Sequence, residues 1–101
     1  MTTQTSRTSH AVLFTKDGCA PCVGAKEKLT EITEEHPNYW TAISVLQKKN
    51  HPALLVAYDI QKFPTLLVVD SLGEEQGRIV GANNIIKQLQ GILFTLTTII
   101  K

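Results

Sequence analysis

Cys19-Ala20-Pro21-Cys22 is the stretch that decides the fold, and it holds both cysteines of the 101-residue chain. A turn over residues 16–18 leads into it, and an amphipathic helical pattern leads out. Two thiols three residues apart on the first turn of a helix lie on one face, close enough to form a disulfide. The partial positive charge of the helix N-terminus favours a thiolate at Cys19, and Pro21 is tolerated there because early helical N–H groups lack intrahelical partners. The motif therefore predicts reversible dithiol–disulfide exchange.

The elements on either side of the motif are a strand and a helix. Residues 11–14 form a short apolar run, which is typical of a strand buried on both faces. Residues 20–35 are predicted to form a helix that ends before His36-Pro37. Its apolar positions recur every three or four residues: Cys22, Ala25, Leu29 and Ile32.

The rest of the chain predicts five more elements, joined by short turns. They are a strand over 39–46, a short helix over 50–58, a strand over 65–69, its hairpin partner over 78–80, and a last helix after Gly81. Asn50 and either Asn83 or Asn84 are the predicted helix caps. The last helix is predicted to bury four apolar side chains: Ile85, Leu89, Ile92 and Leu96.

This order, β-α-β-α-β-β-α, predicts an α/β fold. The first three elements form a βαβ unit with parallel strands and a right-handed crossover, and the final hairpin is antiparallel. We expect a four-stranded mixed sheet with helices on both faces. The domain is predicted over residues 11–101, after a flexible N-terminal tail over residues 1–10.

Composition and charge narrow the functional class. The chain is 43% hydrophobic and 19% charged, which is ordinary for a globular protein, and a net charge of +1 gives no electrostatic reason to expect nucleic acid or a membrane surface as partner. We see no apolar run of the ~20 residues that a membrane span needs, and no apolar secretory signal in residues 1–10. A cysteine pair in such a chain predicts cytoplasmic redox or metal chemistry rather than a structural disulfide framework, and we expect a monomer.

With this element order in place, the cysteine motif and Phe63-Pro64-Thr65 together resemble the thioredoxin/glutaredoxin superfamily over about residues 11–95. The resemblance implies a thioredoxin fold, with a cis Phe63–Pro64 bond that faces the cysteines. It also implies that a substrate peptide pairs with the backbone at Phe63. The substrate contacts that it implies are Phe63, Pro64, Lys16, Ala20, Pro21, Val80 and Gly81.

The two branches of the superfamily match different residues. Pro21 before the second cysteine resembles thioredoxins, whereas the compact layout and Lys16 resemble glutaredoxins, in which this lysine contacts a glutathione carboxylate. Asn83 and Asn84 lie where glutaredoxins often carry aspartates for the glutathione amino group. Leu13 replaces the buried aspartate that thioredoxins use as a proton relay. The chain is therefore identified as similar to a small glutaredoxin-like thioredoxin.

We accordingly predict a thiol–disulfide oxidoreductase that reduces protein disulfides in the manner of thioredoxins. Cys19 is the predicted nucleophile and Cys22 the resolving cysteine. No cofactor beyond this cysteine pair is expected. Electrons would come from thioredoxin reductase or from glutathione.

Several alternatives remain open at this point. One is a strict glutathione-dependent glutaredoxin, and another is a thioredoxin-fold binding subunit whose redox activity is secondary. The cysteines could also be inert core thiols. A zinc site would need two more ligands, and His10, His36 and His51 lie in separate segments, so we expect no metal.

Overall fold

A computed structural model describes residues 9–98, and four strands and three α-helices make up most of them. In chain order these are β1 (Ser9–Thr15), α1 (Ala20–Glu35), β2 (Ile43–Gln47), α2 (Pro52–Ala57), β3 (Thr65–Asp70), β4 (Glu75–Val80) and α3 (Ala82–Thr97). Short 3₁₀ helices span Pro37–Ala42 and Lys48–Asn50. Residues 1–8 of the predicted tail and residues 99–101 lie outside the described part, whereas Ser9 and His10, also assigned to the tail, belong to β1.

The strands form one mixed sheet in the order β2-β1-β3-β4. β1 runs parallel to β2, with Thr15 opposite Gln47, and antiparallel to β3, with Phe14 opposite Thr65. β3 and β4 form an antiparallel pair with a register shift between Val68 and Val69. The predicted βαβ unit, final hairpin and mixed sheet are confirmed.

Successive residues of a strand point to opposite sides of the sheet, so each strand contributes side chains to both faces. Both faces are covered. On one face, Leu13 and Leu66 belong to a cluster with side chains of α1 and α3. On the other face, Phe14 and Leu67 pack with Leu55 of α2. The prediction of helices on both faces is therefore confirmed.

The chain between α1 and β2 differs from the prediction. Residues 39–42, predicted as the first half of a strand, lie in the 3₁₀ helix Pro37–Ala42, and β2 begins only at Ile43. The Tyr39 N–H donates to the His36 carbonyl oxygen at 2.9 Å, and the two rings stack with centroids 4.7 Å apart. These local contacts prevail over the strand preference of aromatic residues, which is weak and depends on context.

Both predicted asparagine caps are wrong. Asn50 ends a 3₁₀ helix, and α2 starts after His51 without a side-chain cap. The N-cap of α3 is Gly81, and it too has no side-chain cap. Asn84 lies inside the first turn, where its side-chain amide donates to the Val80 carbonyl oxygen at 3.2 Å.

The buried stripe of α3 also differs from the predicted one. Ile85 and Leu89 are buried as predicted, but the third buried residue is Leu93. Ile92 and Leu96 are partly buried at the margin of the same cluster. No helix within residues 9–98 is long and apolar enough to cross a membrane.

Candidate functional site

The two cysteines form a disulfide at the start of α1. Their Sγ atoms are 2.17 Å apart and their Cα atoms 5.2 Å apart. Cys19 is the N-cap of the helix, and Cys22 lies in its first turn. The predicted pairing of these residues on one face of the helix start is confirmed.

The surroundings of the two sulfur atoms differ. The Cys22 backbone N–H donates to Cys19 Sγ at 3.1 Å, so a helix-terminal donor points at this sulfur. Cys19 is 8% exposed, whereas Cys22 is 1% exposed. In a dithiol form, an N–H at the helix N-terminus would stabilise negative charge on Cys19, which is also the more exposed of the two residues.

The loop before β3 faces the disulfide. The Phe63–Pro64 peptide bond is cis, as predicted, and the Phe63 carbonyl oxygen lies 3.9 Å from Cys19 Sγ. The Gly81 N–H donates to the Pro64 carbonyl oxygen at 2.9 Å. Because the end of β1 pairs with the start of β3, and Thr65 pairs with Val80, the sheet register itself brings these three segments together.

A cleft of about 670 Å³ opens on one side of Phe63, and we call it the neutral cleft. It brings together most of the predicted site residues. None of the described residues that line this cleft is charged. Val80, another predicted site residue, directly precedes Gly81 but does not line the neutral cleft. The lining residues are Ala20, Pro21, Gly24, Phe63, Pro64, Gly81, Ala82, Asn83, Asn84 and Ile86.

A second cleft, of about 490 Å³, is lined by three lysines and one aspartate, and we call it the basic cleft. Its lining residues are Lys16, Asp17, Lys48, Lys49, Pro52 and Leu55. The Lys16 and Lys48 ammonium groups lie 5.6 Å and 5.7 Å from the centroid of the Phe63 ring. The Phe63 side chain therefore stands between the two clefts.

Lys16 was a predicted site residue, but sequence reasoning missed Lys48. The signal was available in the topology, since β1 and β2 are parallel and Thr15 is opposite Gln47. Residues that directly follow two adjacent parallel strands emerge at the same edge of a sheet. Lys16 and Lys48 are those residues.

Asp17 joins the two loops that form the basic cleft. Lys49 Nζ lies 3.0 Å from one carboxylate oxygen, and Gln47 Nε2 donates to the other at 3.3 Å. The hydrogen bond from Lys49 is the main reason that the pKa of Asp17 is lowered. The carboxylate therefore stays ionised at neutral pH, and Lys49 is partly neutralised.

The remaining sequence candidates lie away from the disulfide. Leu13 is fully buried in the core. His10 hydrogen-bonds to Ser44 at 2.9 Å, and His36 stacks on Tyr39. Within residues 9–98, no three His, Cys, Asp or Glu side chains cluster closely enough to hold a metal ion.

Comparison with solved structures finds thioredoxins. A thioredoxin from Fasciola hepatica is 20% identical, with a TM-score of 0.70 over 89% of this chain and 82% of that one. One from Malassezia sympodialis is 15% identical, with a TM-score of 0.71 over 88% and 75%. Mitochondrial thioredoxin 3 from Saccharomyces cerevisiae, in its oxidised form, is 19% identical, with a TM-score of 0.66 over 91% and 82%.

Comparison of the sequence with protein-family models and with curated proteins finds no match. The likeness is therefore one of structure, and it extends over 89% of this chain in the comparison with the Fasciola hepatica thioredoxin. The chain has the thioredoxin fold, with a Cys-X-X-Cys disulfide at the start of its first helix.

Proposed function

We propose that this protein is a thiol–disulfide oxidoreductase that reduces disulfides in proteins or peptides. The observation that carries the proposal is the asymmetry of the pair Cys19–Cys22. Cys19 is the more exposed residue and its sulfur accepts an N–H from the helix start, while Cys22 is almost fully buried. An attacking and a resolving cysteine need these two environments.

The reaction begins with Cys19 as a thiolate. It attacks one sulfur of the substrate disulfide, so that a Cys19–substrate bond forms while the substrate S–S bond breaks. The departing substrate sulfur leaves as a thiolate and takes a proton from water. Cys19 is then held in a mixed disulfide beside the Phe63 carbonyl.

Cys22 completes the cycle. After losing its proton to solvent, its thiolate attacks Cys19 Sγ, closes the Cys19–Cys22 disulfide and releases the second substrate thiol. Two electrons have then passed from the cysteine pair to the substrate. An external dithiol or thiol must return them, and we propose thioredoxin reductase or glutathione as the donor.

The decisive experiment follows reduction of a disulfide-linked fluorogenic peptide with dithiothreitol as the electron source. Cys19→Ser is expected to abolish turnover, because no nucleophile remains at the accessible position. Cys22→Ser is expected to accumulate a mixed disulfide at Cys19, detectable by mass spectrometry. Full turnover by Cys19→Ser would contradict the assignment of the nucleophile.

A binding subunit with secondary redox activity is the alternative of a different class. It predicts that a protein with both Cys19→Ser and Cys22→Ser keeps its cellular function. The proposal made here predicts that this double variant loses that function while remaining folded. Complementation with the double variant, checked by circular dichroism, separates the two.

The electron donor can be tested at the neutral cleft. Asn83 and Asn84 line it without charge, whereas the glutaredoxin pattern has aspartates there. A hydrogen bond to a charged group contributes about 1.5–3 kcal/mol and a neutral one about 0.5–1.5. The difference, roughly 1 kcal/mol, corresponds to a five- to tenfold weaker capture of glutathione. We therefore propose that a reductase serves this protein better than glutathione.

Joint substitution of Asn83→Asp and Asn84→Asp is expected to raise turnover with glutathione and glutathione reductase. Gln88→Glu with Gln90→Glu is the matched control, since it adds the same charge farther along α3. The proposal fails if the unmodified protein accepts electrons from glutathione faster than from thioredoxin reductase.

A further inference from the structure

The two sides of the disulfide differ in charge, and this difference bears on which disulfides the protein reduces. The neutral cleft presents amides and apolar groups. The basic cleft presents Lys16, Lys48 and Lys49 around an apolar surface of Pro52 and Leu55. Phe63 lies between them, beside Cys19.

Two of the three lysines are available for a substrate. Lys49 is paired with Asp17 at 3.0 Å. Neither Lys16 nor Lys48 has a carboxylate partner within residues 9–98. Both ammonium groups instead lie within 6 Å of the Phe63 ring centroid, the range of a cation–π contact. Their charge is therefore concentrated where a substrate chain would lie.

We infer that the preferred substrates are disulfides with acidic residues on the side of the cysteine that enters the basic cleft, whatever lies on the other side. This inference rests on the proposed disulfide reductase function and adds a substrate class to it. Carboxylates in the basic cleft would meet Lys16 and Lys48, and an adjoining apolar side chain would contact Pro52 and Leu55. The neutral cleft offers no such partner, so acidic residues on the other side of the cysteine gain nothing.

The inference can be tested with five disulfide peptides that differ only in the two residues on each side of the cysteine. The first peptide has acidic residues before the cysteine, the second has them after it, and the third has them on both sides. The fourth has neutral residues on both sides, and the fifth has lysines on both sides. One of the two singly acidic peptides is expected to match the doubly acidic one in kcat/KM, and the other to match the neutral one. The preferred peptides should exceed the neutral one about three- to tenfold at low salt, because the charges are exposed.

Salt and substitution identify the cause of the preference. The ratio of kcat/KM for the acidic and the neutral peptide should fall with added salt, since the screening length falls from about 30 Å at 0.01 M to about 3 Å at 1 M ionic strength. Lys16→Gln with Lys48→Gln should bring the ratio of acidic to neutral peptide close to one. Lys28→Gln with Lys87→Gln removes the same charge from α1 and α3 outside either cleft, and should retain the ratio.

The outcomes distinguish the two levels of the proposal. If no peptide is reduced, the oxidoreductase function fails and this inference fails with it. If all five are reduced at equal rates, or if acidic residues on either side help equally, the function stands and the one-sided preference is refuted. A preference that survives in Lys16→Gln with Lys48→Gln also refutes it.

Discussion

Gly81 is the position where a single methyl group should disturb the site most clearly through the backbone. Its φ is 96° and its ψ is 142°, a backbone conformation that residues other than glycine rarely adopt. A Cβ built there meets no atom within 4 Å, so the cost of Gly81→Ala is backbone strain rather than a clash. Such strain is worth about 1–3 kcal/mol. For a domain of this size, each kcal/mol lowers Tm by roughly 4–8 °C.

The matched control is Gly91→Ala, the same substitution within the same protein. Gly91 lies inside α3, and a Cβ there also meets nothing within 4 Å. Alanine in a helix interior is favoured over glycine by about 0.5–1 kcal/mol. The two variants should therefore move Tm in opposite directions.

Thermal and urea unfolding of the oxidised proteins measures both effects, and peptide disulfide reduction measures the consequence for the site. Gly81→Ala should also slow reduction, because the Gly81 N–H holds Pro64 by its carbonyl oxygen, and the neighbouring Phe63 carbonyl faces Cys19. The reasoning is refuted if Gly81→Ala is as stable as the unmodified protein, or if both variants shift Tm in the same direction.

Three further results are expected. In the reduced protein near neutral pH, iodoacetamide should label Cys19 before Cys22, and peptide mapping that found the reverse order would exchange their roles. Hydrogen bonds from Arg78 lower the pKa of Glu75, so this pair stabilises the fold above the ordinary carboxyl pKa and the contribution is lost as pH falls through the lowered value. Urea unfolding of Glu75→Gln should thus show a deficit at neutral pH that vanishes in acid, and a constant deficit would contradict this linkage. Leu89→Ala, in the fully buried core, should cost about 2–5 kcal/mol in urea unfolding, and a loss below ~1 kcal/mol would mean that the neighbouring helix packing relaxes to fill the space.

The parts of the site that sequence could predict are those determined over short stretches of chain. Cys19 and Cys22 are three residues apart, and helix geometry alone places them on one face. Phe63 and Pro64 could be assigned because a family resemblance placed them opposite the motif. The element order likewise followed from local patterns with clear turns between them.

The parts that sequence could not predict depend on contacts between distant residues or on a single backbone angle. Lys16 and Lys48 both lie near the Phe63 ring because of the register of β1 against β2. That register cannot be read from any local sequence pattern. The start of α3 follows from the positive φ of Gly81, which turns the chain into the helix before either predicted asparagine cap. Tyr39 has the propensity of a strand residue but takes part in a tight turn with His36.

β4 forms one edge of the sheet, with no strand beyond it among residues 9–98. Such an edge can recruit strands of other molecules and begin aggregation. Here the register shift at Val68 and Val69 distorts the edge, and Arg78 and Glu75 place an ion pair on it. Charges and bulges on an edge strand oppose intermolecular pairing. Acid discharges Glu75 but leaves Arg78 positively charged on this edge, so the edge should still resist intermolecular pairing after the ion pair is lost.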